Sequence, residues 1–312
     1  MSGPPGLPDV HGDPSLPAAV TIWEVGPRDG LQNESAVVPA EVKLELIARL
    51  VSAGLRTVEA TSFVRPAWVP QLADAEQVAR ALTHGGVPRY PVLVPNEAGL
   101  RRAIDAGVRE IAIFGSATES FSRRNLNRGI DESLEMFRPV VAEARSAGLR
   151  VRGYVSMAWG DPWEGAVPAA QVAGVSARMW ALGLDELSLG DTIGVATPLA
   201  VQRVLGAVAG AVPGEAVAVH FHDTYGQALA NVLAALEAGV TIVDSAVGGL
   251  GGCPYARSAT GNVATEDLVY MLDGLGVRTG VDLDAVVDTA WWIAGRLDRS
   301  PGNVARALRP AA

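Results

Sequence analysis

One local pattern, repeated along most of the chain, limits the possible folds more than anything else in the sequence. A helix-like run ends on a small residue and a glycine, and an apolar residue then leads into a β-rich stretch. It occurs at Ala53-Gly54-Leu55, Ala106-Gly107-Val108, Ala147-Gly148-Leu149, Leu182-Gly183-Leu184 and Ala238-Gly239-Val240. The physical reading is a helix closed by a left-handed glycine before the chain turns into a strand. Short apolar strand segments fall between the helices, at 20–26, 57–63, 90–95, 110–115, 151–158, 186–191, 217–223 and 241–247. A helical stretch such as 39–53 places Val42, Leu46, Ile47 and Leu50 on one face, with Pro39 at its start.

Eight strands alternating with helices predict parallel pairing with right-handed crossovers, and an α/β fold of the (βα)8 TIM-barrel type is their natural closure. The rival, an open doubly wound sheet, usually carries a glycine-rich phosphate loop after its first strand. Gly26-Pro27-Arg28-Asp29-Gly30 does not have that form. We expect residues 1–18 to be a flexible leader, 19–281 the catalytic barrel, and 282–312 a C-terminal helical segment packed on its outside.

Composition narrows the function. A net charge of -9 argues against a general nucleic-acid binder, which needs a broad basic face. Cys253 is the one cysteine, so no internal disulfide can form, and this fits a reducing compartment. No apolar run is long enough for a membrane span, and residues 1–18 match neither a secretory signal nor a transit peptide. A cytoplasmic location is the simplest expectation.

In a barrel, polar residues at the C-terminal ends of strands share one mouth. The unusual polar residues of this chain fall there. Arg28 and Asp29 follow the first strand, Glu59 lies in the second and Asp191 ends the sixth. His220 and His222 lie on the seventh strand, and Cys253 and Asn262 follow the eighth. Alternate residues of a strand share a face, so the two imidazoles of His220-Phe221-His222 can serve one metal ion or hydrogen-bond inside the barrel. The run Gly248-Gly249-Leu250-Gly251-Gly252-Cys253 permits close approach to a ligand, or is a surface loop carrying an inert thiol. Arg28 and Asp29 can form a structural ion pair, with Glu59 and Asp191 as further partners. Arg123, Arg124 and Arg128 can meet phosphates or simply be solvated.

The motifs EVGPRDGLQNE (24–34), VEATSFV (58–64), SLGDTIGVATP (188–198), VHFHDTYGQALAN (219–231), GGLGGCPYA (248–256) and GNVATEDLVYML (261–272) resemble those of the hydroxymethylglutaryl-CoA lyases, within the metal-dependent lyase and Claisen-condensing barrel superfamily. The resemblance runs from about Val20 to Asp284. It implies a TIM barrel acting on an acyl-CoA substrate, with Mg2+ or Mn2+ held by Asp29, His220, His222 and Asn262. It places Arg28 and Cys253 in catalysis with Glu59, Asp191 and His220 beside them, and it implies a homodimer and a setting in leucine degradation and ketone-body formation. The segment Ser156-Met157-Ala158-Trp159-Gly160-Asp161-Pro162-Trp163 departs from the cysteine-containing stretch of many relatives, which makes one pocket wall the place where the accepted acyl group can differ. The alternatives are therefore a lyase for a longer-branched 3-hydroxyglutaryl-CoA and a 2-alkylmalate-type Claisen-condensing synthase. A non-catalytic metal-binding scaffold would not need Arg28 and Cys253 alongside both histidines. The absence of a cysteine near the C-terminus predicts no thiol switch between subunits.

Overall fold

The computed structural model describes residues 10–252 and 261–309, and in it eight parallel strands form one ring. They are β1 (Thr21–Glu24), β2 (in two pieces, Thr57–Val58 and Thr61–Ser62), β3 (Val92–Leu93), β4 (Glu110–Ser116), β5 (Arg150–Ser156), β6 (Glu186–Asp191), β7 (Val217–Phe221) and β8 (Ile242–Ser245). The first piece of β2 pairs with β1 and the second with β3, while β1 also pairs with β8. Neighbours therefore run β2-β1-β8-β7-β6-β5-β4-β3 and return to β2, which closes the barrel. Every ladder in this ring is parallel.

The crossovers are helices α1 (Ala40–Ser52), α2 (Ala75–Ala81), α3 (Glu97–Asp105), α4 (Glu119–Leu126), α5 (Ile130–Ser146), α6 (Ala169–Trp180), α7 (Pro198–Val208) and α8 (Ala228–Glu237). All five of the repeated glycines take a left-handed φ, between 75° and 101°. In four of them the paired bonds of a Schellman cap are present, as where Gly54 N–H donates to Val51 O and Leu55 N–H to Leu50 O. At Gly54 a side chain is also excluded by space, since a Cβ would come within 2.2 Å of the Gly280 carbonyl oxygen. The pattern thus encodes the exit of each helix toward the next strand.

After β8 come α9 (Thr265–Gly274), α10 (Leu283–Arg296) and α11 (Asn303–Leu308). Asp282 caps α10, its carboxylate accepting the Ala285 N–H at 3.1 Å. Helix α10 packs against α1 and α9, and Trp291 Nε1 donates to Ala305 O at 3.0 Å, fastening α11 over it. At the other end of the chain, His11 N–H donates to Gly274 O and Val20 N–H to Arg278 O. Among the described residues no helix is long and apolar enough to cross a membrane.

Inside the ring the filling is partly polar. Arg152, on β5, is 1% exposed and lies with its guanidinium 3.8 Å from the Trp23 ring centroid. Its Nη2 donates to Asp244 Oδ1 at 2.6 Å, and its Nε forms an ion pair with Glu186 at 3.1 Å. This charged layer lies beneath the residues that gather at the mouth.

Candidate active site and cation-binding residues

The residues Gly26–Gly30 form one wide π-helical turn directly after β1. Such turns often occur at functional sites, and here the turn puts the adjacent Arg28 and Asp29 at the mouth. Arg28 is 6% exposed; its Nη1 donates to Asp29 Oδ1 and its Nη2 to Glu59 Oε2, both at 2.9 Å. The Tyr154 hydroxyl donates to the same Glu59 oxygen at 3.0 Å. Burial pulls the Arg28 guanidinium down, but the Glu59 and Asp29 charges more than reverse it, so Arg28 stays a cation. Burial also works against the Asp29 carboxylate, yet Arg28, the two histidines and the Asn262 bond bring it down to about 2.

The two histidines lie on the same side of the strand end, as the alternation of β7 requires, with ring centroids 5.2 Å apart. One ligand atom each from Asp29, His220 and His222 lies within 4.8 Å of the others. His220 Nδ1 faces Asp244 Oδ2 at 3.3 Å, and that oxygen also accepts from Ser188 Oγ at 3.1 Å. A carboxylate behind an imidazole fixes its tautomer and raises its basicity, which is how metal-binding histidines are commonly held. Burial lowers the His220 proton affinity, and the Asp244 bond and charge more than restore it.

Asn262 Nδ2 donates to Asp29 Oδ2 and to Leu250 O, each at 2.9 Å. Both partners are acceptors, so the amide orientation is determined and Oδ1 is the atom left over. Among the described residues Asn262 Oδ1 is buried and makes no hydrogen bond. A mixed set of carboxylate, imidazole and carboxamide donors with an unsatisfied buried oxygen fits a divalent cation.

Asp191 ends β6 and braces the following loop, its oxygens accepting the Val195 N–H at 3.0 Å and the Ala196 N–H at 2.9 Å. Burial outweighs these bonds and pushes its carboxyl up to about 6. Cys253 lies outside the described residues. Of the three arginines on and after α4, Arg123 pairs with Glu119 at 3.3 Å, Arg124 lies 4.2 Å from the Trp163 ring centroid, and Arg128 is exposed.

A cavity of about 400 Å³ opens on these groups. Arg28, Asp29, Tyr154, His220 and His222 line it together with apolar Val64, Val69, Leu93, Phe114 and Phe121. The departing segment after β5 folds as a small hairpin in which Asp161 accepts from Thr118 Oγ1, Trp163 N and Glu164 N. Of residues 156–163, only Ser156 reaches the cavity lining.

Several contributors were not singled out from sequence: Tyr154, Arg152, Asp244 and Glu24. A signal existed for three of them. Arg152 and Tyr154 are alternate members of a strand whose intervening residues, Val151, Gly153 and Val155, carry no polar side chain, and Asp244 interrupts the apolar run of β8. Glu24 is fully buried and accepts from Gly26 N (2.7 Å), Val247 N (3.0 Å) and Thr265 Oγ1 (2.6 Å), joining the wide turn to the start of the glycine run. Burial pushes its carboxyl up to about 7 despite those bonds.

The folded state therefore binds a proton at Glu24 that the unfolded chain releases near pH 4.5. That stabilising contribution is complete below the unfolded value and is lost as the pH rises through about 7. Glu266 behaves in the same way, its carboxyl also raised to about 7 by burial. Glu24→Gln should flatten part of the fall in thermal midpoint between about pH 5 and about pH 7.5, leaving the part due to Glu266. An unchanged slope in thermal unfolding of the variant would show that Glu24 does not titrate in this window.

The HMGL-like family matches residues 19–293. The chain is 54% identical to hydroxymethylglutaryl-CoA lyase, mitochondrial, of Gallus gallus over 91% of this chain and 96% of that protein. It is 52% identical to 3-hydroxy-3-methylglutaryl-CoA lyase, cytoplasmic, of Mus musculus over 93% of this chain and 84% of that protein. The crystal structure of hydroxymethylglutaryl-CoA lyase from Pseudomonas aeruginosa superposes with a TM-score of 0.92 at 48% identity, covering 94% of this chain and 98% of that one.

Proposed function

Because the chain belongs to the HMGL-like family of carbon–carbon lyases, we propose that it cleaves 3-hydroxy-3-methylglutaryl-CoA to acetyl-CoA and acetoacetate with the help of Mg2+ or Mn2+. The observation that carries this reading is the meeting, in one cavity, of the Arg28 cation with the Asp29, His220 and His222 donor set. Because only Ser156 of residues 156–163 reaches the cavity, the departing segment gives no support to a longer-branched substrate. A homodimer in the cytoplasm belongs to the same proposal; the relatives named above include both a mitochondrial and a cytoplasmic form.

The reaction removes the proton of a tertiary hydroxyl, breaks the C2–C3 bond and leaves the electron pair as a thioester enolate. The hydroxyl carbon becomes the ketone of acetoacetate, and protonation of the enolate carbon gives acetyl-CoA. Asp29, His220, His222 and Asn262 would hold the divalent ion, which when bound supplies a Lewis acid and a template for the substrate's oxygen atoms. Arg28 gives one N–H each to Asp29 and Glu59 and, as a cation lining the cavity, is suited to an anionic oxygen there. Tyr154 and Glu59 keep the guanidinium from turning away from the cavity. The family resemblance offers two groups for the hydroxyl proton. One is His220, which lines the cavity but can accept a proton only at a ring nitrogen free of the ion. The other is Asp191, which burial raises to about 6 and whose oxygens also hold the Val195 and Ala196 N–H groups. Cys253 is assigned as the donor to the enolate carbon on the sequence resemblance.

The test is acetoacetate release by the purified protein after chelation, with and without added Mg2+. Release should return with the metal and fall to about a hundredth or less in His222→Ala, since a lost ligand removes the Lewis acid from its place. A folded, metal-loaded protein that releases no acetoacetate from this substrate would defeat the proposal.

A further inference from the structure

The C-terminal extension packs α10 against residues 247–249 and, among the described residues, reaches the mouth with one charged side chain, Arg299. Its Nη1 pairs with Glu34 Oε1 at 2.8 Å and its Nη2 donates to the Gly249 carbonyl at 3.3 Å. Glu34 closes the stretch that begins with Arg28 and Asp29, and Gly249 lies in the glycine run after β8. The guanidinium thus joins the two loops that flank the β1–β8 seam. Asn33 adds a second link between them, donating from Nδ2 to Gly252 O at 2.8 Å.

What Arg299 holds is one residue from the carbonyl that orients a proposed ligand. The carbonyl next to Gly249, that of Leu250, accepts the Asn262 side-chain amide. Together with the bond to Asp29 Oδ2, that contact uses both N–H groups of the amide and decides where Oδ1 faces. The backbones are close here: Gly261 lies against the Gly249 carbonyl with no room for a side chain, and Asn262 N–H donates to Leu250 O, so the glycine run and residues 261 and 262 are held together. Glu266 supports the same turn from below, accepting Gly248 N at 2.9 Å and Gly302 N of the extension at 3.0 Å.

We propose that Arg299 is a positioning residue that, by clamping Gly249 against Glu34, orients the Asn262 carboxamide and tightens cation binding at the mouth. The inference rests on the cation-binding reading given under Proposed function. Arg is suited to the task because its planar fork reaches a carboxylate and a carbonyl at once, which a lysine ammonium does less well. Its removal leaves Glu34 and the Gly249 carbonyl without this partner and lets the Leu250 carbonyl drift from the amide it directs.

The experiment is direct Mn2+ binding to the full-length protein, read from the electron paramagnetic resonance signal of the free ion. Arg299→Met should weaken Mn2+ binding about 10-fold, the lower end of what loss of an outer-shell partner does. The Mn2+ concentration for half-maximal turnover should rise in parallel, while kcat at saturating Mn2+ changes less than about twofold, as expected for loss of ground-state ligation alone. Arg309→Met is the control, because Arg309 pairs with Asp284 at 2.8 Å elsewhere on the same extension; its affinity should match wild type. If wild type itself binds no Mn2+, the cation-binding reading fails. If wild type binds and Arg299→Met binds equally well, the positioning role is overturned. Should Arg299→Met not fold, Glu34→Gln takes its place, with an expected loss of about 2- to 5-fold; unchanged affinity there would overturn the role as well.

Discussion

Arg28→Gln should lower acetoacetate release by at least about 10³-fold at saturating substrate and metal. Loss of one preorganised donor to a developing oxyanion costs about 10²–10³ in kcat, and Arg28 does more than donate. It is the shared partner of Asp29 and Glu59. Without it two carboxylates in a poorly solvated pocket face each other uncompensated, and Asp29, the carboxylate of the proposed cation site, loses its largest stabilising charge. Arg28→Lys keeps a charge but cannot span both carboxylates as a rigid fork, so it should recover only a minor part of the loss. Single-turnover kinetics at saturating metal isolates the chemical step. Retention of turnover within about tenfold in the Gln variant would reduce Arg28 to a structural ion pair.

The second large effect is on stability. Arg152→Met should cost about 3–5 kcal/mol, because it strands Asp244 and Glu186 as buried charges. The sign of its pH dependence follows from those carboxylates. In the wild type, burial raises the Asp244 carboxyl, and Arg152 and His220 together more than offset it, leaving it below its ordinary value. Burial already holds the Glu186 carboxyl above its ordinary value. Without the cation both carboxyls move up, Asp244 keeping only His220 as a lowering partner, and the folded variant takes up protons. Its stability is then best in acid and falls as the pH rises, so the deficit against wild type is larger near pH 8 than near pH 5. Urea unfolding at the two pH values measures this. An equal deficit at both would mean that lost packing on Trp23, and not charge, sets the cost.

The barrel was legible because its punctuation is local. A helix that must stop and turn needs a left-handed residue, and the five repeated glycines mark those places without reference to anything distant. The His220 and His222 pair was legible for a similar reason, since period-two alternation is a local rule. The wide turn at Gly26–Gly30 was not, because its extra residue per turn leaves no periodic trace in five residues. Nor could spacing show that Tyr154 shares an oxygen of Glu59 with Arg28, or that Asp244 stands behind His220. Those contacts join strands that are far apart in the chain, and only ring closure brings them together. Asn262 came from the family resemblance, and the geometry adds a reason for it, an amide oriented by two acceptors.

The closure of the ring also bears on biosynthesis. Strand β1 has β8 as a neighbour, with Thr21 opposite Ile242, so the first strand to leave a ribosome waits for the last before its free edge is covered. Asp29 emerges early, and His220, His222, Asn262 and Arg299 emerge late. A nascent chain therefore carries no assembled reaction centre for most of its synthesis, and a product truncated before β8 would be both inert and sticky along that open edge. The seam that makes the site is, on this view, also the checkpoint at which an unfinished polypeptide becomes a finished one.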